Sequence, residues 1–155
     1  MNISLFPLSE GEITDGFDAV ISRFYDVEEQ SENDPSVPLC DLGEEGDVLQ
    51  RLLERANVGD LAELMISGGT LLGDDGVGTV CLSLTPDEVL QVDNALSGVD
   101  LDEVMRAAPT VLSPMIRGGI PDGYVEDLRD CLEELRGTYR LAAGQGLAMA
   151  QVFQG

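Results

Sequence analysis

The stretch that decides the fold is TVCLSLTPDE, residues 79–88. Its first half is apolar and β-branched, which predicts a central β-strand from Thr79 to Leu84. Its second half predicts the start of a helix, because Thr85 is a good N-cap, Pro86 suits the first helical position and Glu88 stands at capping-box spacing. The chain therefore mixes strands and helices, and a strand leads directly into a helix at its centre.

Helical periodicity extends in both directions from this stretch. The longest predicted helix begins near Tyr124, carries a continuous apolar stripe and ends at Gly144 and Gly146. Near the N-terminus, Ser9 and Glu12 have capping-box spacing that would suit one further helix, which apolar residues from Ile13 to Phe24 continue at helical intervals. The remaining predicted helices are those that begin at Pro86 and at Asp100, the helix over residues 48–56, and a short helix over residues 60–66.

Two further strands are predicted at the ends of the chain. Residues 3–8 form an apolar stretch that suits an edge strand closed by Pro7, and residues 147–153 suit a returning strand. The sequence thus predicts an α+β fold, a single domain over residues 1–155. We expect a small antiparallel or mixed sheet of about three short strands, packed by four to five helices.

Composition excludes much chemistry. All eight cationic side chains are arginine, against thirty Asp and Glu, and the formal net charge is −22. Without His or Lys there is no imidazole for general-base catalysis and no lysine for a Schiff base or a phosphate-binding loop. The charge repels nucleic acid and anionic membranes, so neither is an expected partner, and a basic protein is the favoured one. We expect no cofactor and no metal site.

The cysteines and the N-terminus indicate a compartment. Cys40, Cys81 and Cys131 are isolated from one another, which argues against a disulfide framework or a zinc site. Cys81 and Cys131 lie on apolar patterns and are expected to be buried, whereas Cys40 is expected to be the most accessible thiol. The N-terminal residues lack the features of a signal peptide, and no apolar stretch is long enough to span a bilayer. These features predict a cytoplasmic protein.

Several blocks of the sequence resemble one family. They are the segment DLGEEGDVLQRLL at residues 41–53, the Gly-Gly turn and acidic glycine loop at residues 68–78, the helix start LTPDEV at residues 84–89, and the Tyr-to-Gly ending at residues 124–146. In this order they resemble the YfbM-like family of small uncharacterised bacterial proteins, the domain of unknown function 1877. The resemblance implies an α+β fold and no established activity.

The sequence departs from that family at one block. Relatives tend to carry an aromatic residue, usually Trp, and a basic or His residue in the first block, where this chain has Glu44, Gly46 and Gln50. A family function that depends on that Trp or His would not extend to this protein.

The leading functional hypothesis is a non-enzymatic, acidic interaction protein, comparable to an immunity protein or antitoxin that opposes a cationic toxin. The segment from Asp26 to Pro38 is interpreted as a mobile acidic loop. Its candidate partner-binding residues are Asp26, Glu28, Glu29, Glu32 and Asp34. The alternative is a hydrolase that uses Asp and Glu carboxylates, with or without a divalent cation. No residue pair is singled out as catalytic, and the protein is expected to be a monomer or a homodimer.

Overall fold

Five antiparallel strands form one sheet in the computed structural model, which describes residues 1–155. Side by side, the strands follow the order β2-β1-β5-β4-β3. In chain order they are β1 (Asn2–Leu8), β2 (Cys40–Gly43), β3 (Thr70–Asp74), β4 (Thr79–Leu84) and β5 (Ala148–Gln154). The first and last long strands of the chain are therefore neighbours, and β5 lies at the centre.

Seven helices accompany the sheet. In chain order they are α1 (Glu10–Thr14), α2 (Phe17–Asn33), α3 (Gly46–Glu54), α4 (Leu61–Leu64), α5 (Pro86–Ser97), α6 (Leu101–Leu112) and α7 (Tyr124–Gly144). None of them has the length and apolar character needed to cross a membrane.

Helices cover both faces of the sheet, and the two resulting cores differ in size. Side chains alternate along a strand, so Leu5 and Met149 point to one face while Phe6 and Ala150 point to the other. The first face packs against α3 to α7 in a core of 27 buried residues. The second face packs against α1 and α2 in a core of only eight buried residues. Each buried side chain in the smaller core therefore matters more to its layer.

The strongest local predictions are confirmed. β4 ends at Leu84, and Thr85 caps α5 in a capping box completed by Glu88. Ser9 and Glu12 form the same arrangement at α1. α7 is the longest helix at 21 residues and is followed by Gly146, whose φ of 67° is easy only for glycine. These features depend on neighbouring residues, which is why the sequence reveals them.

The predicted counts and strand positions need correction. The sheet has five strands rather than three, and seven helices replace the predicted four or five. β1 is not an edge strand, since β2 and β5 flank it. β4 is an interior strand between β5 and β3, although β5 rather than β4 occupies the middle of the sheet. Pro7 is tolerated inside β1 because β2 pairs with that strand only as far as Leu5, so the missing N–H lies beyond the β2 ladder.

The interpretation of residues 26–38 as a loop is wrong for most of its length. α2 continues to Asn33, because Val27 extends the apolar spacing of Val20 and Phe24 and is buried with them. Gly16, with a φ of 100°, separates α1 from α2 where a single helix was expected. The glycine loop at residues 73–78 belongs to a β-hairpin formed by β3 and β4. Strand β3 was not predicted from the sequence.

Candidate functional site: an acidic groove on helix α2

An open groove of about 560 Å³ runs along the C-terminal half of α2. Asp26, Glu29 and Asn33 follow one another at spacings of three and four, so they share one face of the helix. Asp34 and Val37, just beyond the helix, line the same groove. We call this surface the acidic groove. It brings together three of the five acids that the sequence singled out.

The other two acids lie on a different flank of α2. Glu28 and Glu32 are spaced by one helical turn and do not line the acidic groove. Glu28 is half-buried and Glu32 is exposed. The predicted set is therefore divided by the helix, three residues in the groove and two beside it.

No cation neutralises this part of the helix. The only arginine of α2, Arg23, pairs with Glu12 of α1 at an N–O distance of 3.7 Å, and none of the five acids has an ion-pair partner within 4 Å. Two of these acids, Glu29 and Glu32, lie in the last turns of α2, where the backbone dipole is negative and disfavours further negative charge. Like charges at these spacings each destabilise a helix by a few tenths of a kcal/mol.

Asp34 has a structural task in addition to its place in the groove. Its carboxylate accepts hydrogen bonds from the backbone N–H of Ser36 at 3.0 Å and from the Ser36 hydroxyl at 2.6 Å. These bonds lower the pKa of Asp34. They fix the turn that leads from α2 to the Val37 wall of the groove, so the shape of the groove depends on Asp34.

The acidic glycine loop is a hydrogen-bonded turn. The Asp74 carboxylate accepts from Gly76 N–H at 2.7 Å, and that of Asp75 accepts from the N–H groups of Val77 and Thr79 at 2.8 and 3.0 Å. The bonds from Thr79 and then Val77 lower the pKa of Asp75. Both carboxylates thus shape the β3–β4 hairpin. No three His, Cys, Asp or Glu side chains of the chain are grouped so as to hold a metal ion.

The expected order of thiol exposure is reversed in part. Cys40 is fully buried on β2, as is Cys81 on β4, and Cys131 of α7 is the partly exposed one. Burial raises the pKa of all three thiols, and that of Cys81 to about 12. Cys40 was expected to be the most accessible thiol, but pairing of β2 with β1 places its side chain in the larger core.

We therefore expect a maleimide to modify Cys131 first in the native protein. The reaction should be slow, because burial and then the nearby Glu134 carboxylate disfavour the thiolate, and it should accelerate as the pH rises. Mass spectrometry of the labelled peptides measures the order. A Cys131→Ala control should stay unlabelled until denaturant exposes Cys40 and Cys81, and rapid native labelling of Cys40 would contradict this account.

A second, more enclosed cavity was not indicated by the sequence analysis. It measures about 380 Å³ and lies between the C-terminal ends of α3 and α5 and one face of α6. Its polar residues include Arg55, Asn57, Asp100 and Glu103. These belong to two separate segments, and α5 supplies a third wall, so only the tertiary fold brings the lining together.

Comparison with known proteins assigns the chain to a family. The model of a domain of unknown function, DUF1877, matches residues 1–152. The chain belongs to the DUF1877 family. This confirms the YfbM-like resemblance of the sequence blocks.

Among solved structures, this DUF1877 protein is similar to YfbM from Escherichia coli, a protein of unknown function. The TM-score is 0.63, the sequence identity is 16%, and the match covers 99% of each chain. At this identity the likeness concerns the fold alone. A search of the curated proteins finds no match.

Proposed function

We propose that this DUF1877 protein is a cytoplasmic, non-enzymatic interaction module whose acidic groove binds a basic protein. The observation that carries the proposal is a row of carboxylates without ion-pair partners in the C-terminal half of α2. The C-terminal end of a helix carries partial negative charge, so carboxylates are unfavourable there. From Arg23 to Arg51 the sequence contains no cation but nine acids. A cationic partner would relieve the repulsion among these acids. The negative electrostatic field of the whole protein would also increase the rate of association with such a partner.

Carboxylates near a helix C-terminus are unfavourable for stability, so their presence indicates a binding function more specifically than net charge does. Some exposed acids elsewhere on the chain have local tasks, since Asp75 shapes a turn and Asp100 caps α6. Glu28, Glu29 and Glu32 form no side-chain hydrogen bond or ion pair that would explain their position. Local rules are most often broken where function requires it. An immunity or antitoxin role, in which the partner is a cationic toxin, fits this chemistry.

The alternative, a hydrolase based on carboxylates, has less to support it. Two acids, Asp100 and Glu103, share the enclosed cavity. The Asp100 carboxylate already accepts hydrogen bonds from the backbone N–H groups of Asp102 and Glu103 at 3.0 and 3.3 Å. That carboxylate is engaged as a helix cap, whereas a general acid and base require two free groups in opposed environments.

The test compares two variants that lose the same charge. One carries amides in place of the five candidate acids. The control carries amides at five exposed acids elsewhere, namely Asp60, Glu63, Asp122, Glu126 and Asp130. Affinity for an oligo-arginine peptide, and for any basic protein recovered from the native cell, is measured by calorimetry at low and high salt.

We expect the α2 variant to bind at least about tenfold more weakly than the wild type, because five exposed charge pairs contribute a few tenths to one kcal/mol each. The control should lose much less. Binding by the wild type should weaken as ionic strength rises from about 0.05 to 0.5 M, since the Debye length falls from roughly 14 to 4 Å. The melting temperature of the α2 variant should stay the same or rise. If both variants lose the same affinity, the negative charge serves only solubility and the acidic groove is not a specific binding site.

A further inference from the structure

The enclosed cavity between α3, α5 and α6 has an apolar floor. Leu52 of α3 and Val104 of α6 are both buried beneath it. Three alanines, Ala56, Ala95 and Ala107, line it where larger side chains would fill it. Its volume of about 380 Å³ is at the lower end of the range for small-molecule sites. The space suits a small ligand with a compact apolar body.

The rim of this cavity carries opposite charges that do not neutralise each other. Arg55, which follows α3, and Glu103, in the first turn of α6, both line it. Neither side chain has an ion-pair partner within 4 Å. Both charged groups are thus available to a ligand.

The backbone at the rim is unusual at one residue. Asn57 lines the cavity and is the only non-glycine residue of the chain with a positive φ, 63°. Asn tolerates this left-handed conformation better than most residues, and here it turns the chain sharply after α3. That turn holds Arg55 and Asn57 at the mouth of the cavity.

The rim offers a partner for each charge of a zwitterion. The C-terminal ends of α3 and α5 and the first turn of α6 line the cavity. The Glu103 carboxylate and the partial negative charge at the C-terminal end of α5 favour an ammonium group. The guanidinium of Arg55 offers a two-pronged donor that matches a carboxylate.

We propose that this cavity binds a small zwitterion with an apolar side chain, a free α-amino acid of the leucine or phenylalanine type. Arg55 binds the carboxylate, Glu103 binds the ammonium group, and the apolar side chain packs on Ala56, Ala95 and Ala107 above the buried Leu52 and Val104. The proposal is independent of the acidic groove, which lies on a different helix.

The ligand class is tested with two matched series of probes. L-leucine is compared with isoamylamine, which lacks the carboxylate, and with 4-methylpentanoate, which lacks the ammonium group. L-phenylalanine is compared in the same way with phenethylamine and 3-phenylpropanoate. Binding is followed by calorimetry and by NMR shifts of the amides around the cavity. We expect at least one amino acid to bind about tenfold or more tightly than either of its truncated analogues, since each analogue loses one charge-assisted hydrogen bond.

The site is tested with three variants and two controls. Arg55→Gln and Glu103→Gln should each weaken binding of the amino acid about tenfold, and Ala107→Leu should abolish it by filling the cavity. Arg51→Gln, on α3 but outside the cavity, and Ala19→Leu, on exposed α2, should bind as the wild type does. Arg55 and Glu103 take part in helix caps only through their backbone N–H groups, which these substitutions keep. Melting curves check the folding of each variant.

Three results would overturn the proposal. They are the absence of binding by both amino acids at millimolar concentration, binding that Ala107→Leu leaves unchanged, and, in both series, an amine or acid analogue that binds as tightly as its parent amino acid. The acidic-groove variant should bind the amino acid normally, so failure here and failure of the proposed function are separate outcomes.

Discussion

Replacing Phe24 with alanine is expected to lower the free energy of unfolding by about 3–5 kcal/mol, the range for removing a large aromatic side chain from a core. Phe24 is fully buried between α2 and the sheet, and its ring stacks on Phe6 at a centroid distance of 5.9 Å. The core on this face has only eight buried residues. Few other contacts remain to hold α2, so the loss should approach the upper part of the range. Urea denaturation measures it.

The neighbouring Tyr25 is the matched control. Its ring also lies close to Phe24, at a centroid distance of 5.5 Å, but the residue is 49% exposed. Tyr25→Ala should therefore cost less than about 1 kcal/mol. Hydrogen exchange in the Phe24→Ala variant should accelerate first in α2, because this layer depends on the small core. A loss below about 1 kcal/mol for Phe24→Ala would mean that α2 does not depend on its apolar face.

The error over α2 shows where local reasoning fails. Four acids follow Tyr25 within the helix, and such density of charge is typical of a solvated loop. Val27 alone continues the apolar face in that half, and one buried residue per turn is enough when the sheet supplies the other side. Tertiary packing thus overrides charge repulsion, and the acids become a helix surface with defined spacing. The five acids proposed to bind a partner therefore lie at defined positions on and just after a helix, rather than in a loop.

Short strands that depend on pairing with longer ones were also not predictable from the sequence. β2 has only four residues and β3 contains a glycine and an aspartate, so neither shows a convincing alternation of its own. Both exist because longer strands, β1 and β4, offer them hydrogen bonds. In contrast, the helix starts at Ser9 and Thr85 were predictable, since a capping box needs only residues three apart. The enclosed cavity, formed by three separate segments, had no local signal.

The second large effect concerns Gln151, which stands in the central strand β5 and is fully buried. Its side-chain amide donates to Leu64 C=O at 2.7 Å and accepts from Gly69 N–H at 3.0 Å. Beside it, the buried Tyr139 hydroxyl donates to Met65 C=O at 2.6 Å. Together these bonds hold the segment that joins α4 to β3. A glutamine in the middle of an otherwise apolar stretch is a signal in the sequence for such a buried hydrogen-bonding role.

Gly69 shows how closely this segment approaches the amide. A Cβ at Gly69 would lie 2.8 Å from Gln151 Oε1 and 2.8 Å from Ser83 O, closer than real Cβ contacts allow. The glycine is therefore required for its N–H to reach the glutamine. Both partners of this hydrogen bond are constrained by the fold.

Gln151→Met is expected to cost about 2–6 kcal/mol. Methionine fills a similar volume, but it leaves Leu64 C=O and Gly69 N–H without their partners in a half-buried segment, where each lost bond costs up to about 3 kcal/mol. Chemical denaturation measures the loss. Gln154→Met, at the partly exposed end of the same strand, is the control and should change stability by less than about 1 kcal/mol. A comparable loss in both variants would show that apolar substitution in β5, rather than the hydrogen bonds, is responsible.

A Gln151→Glu variant separates hydrogen bonding from shape. Protonated glutamic acid reproduces both bonds, because its O–H donates to Leu64 C=O and its C=O accepts from Gly69 N–H. Ionised glutamate cannot donate and buries a charge, so folding should raise its pKa above the ordinary value of about 4.3. A group whose pKa rises on folding stabilises the protein below its unfolded pKa and loses that effect as pH rises. The deficit relative to wild type should therefore be smallest near pH 4 and grow toward pH 7, and a deficit independent of pH would argue that the amide hydrogen bonds do not hold this segment.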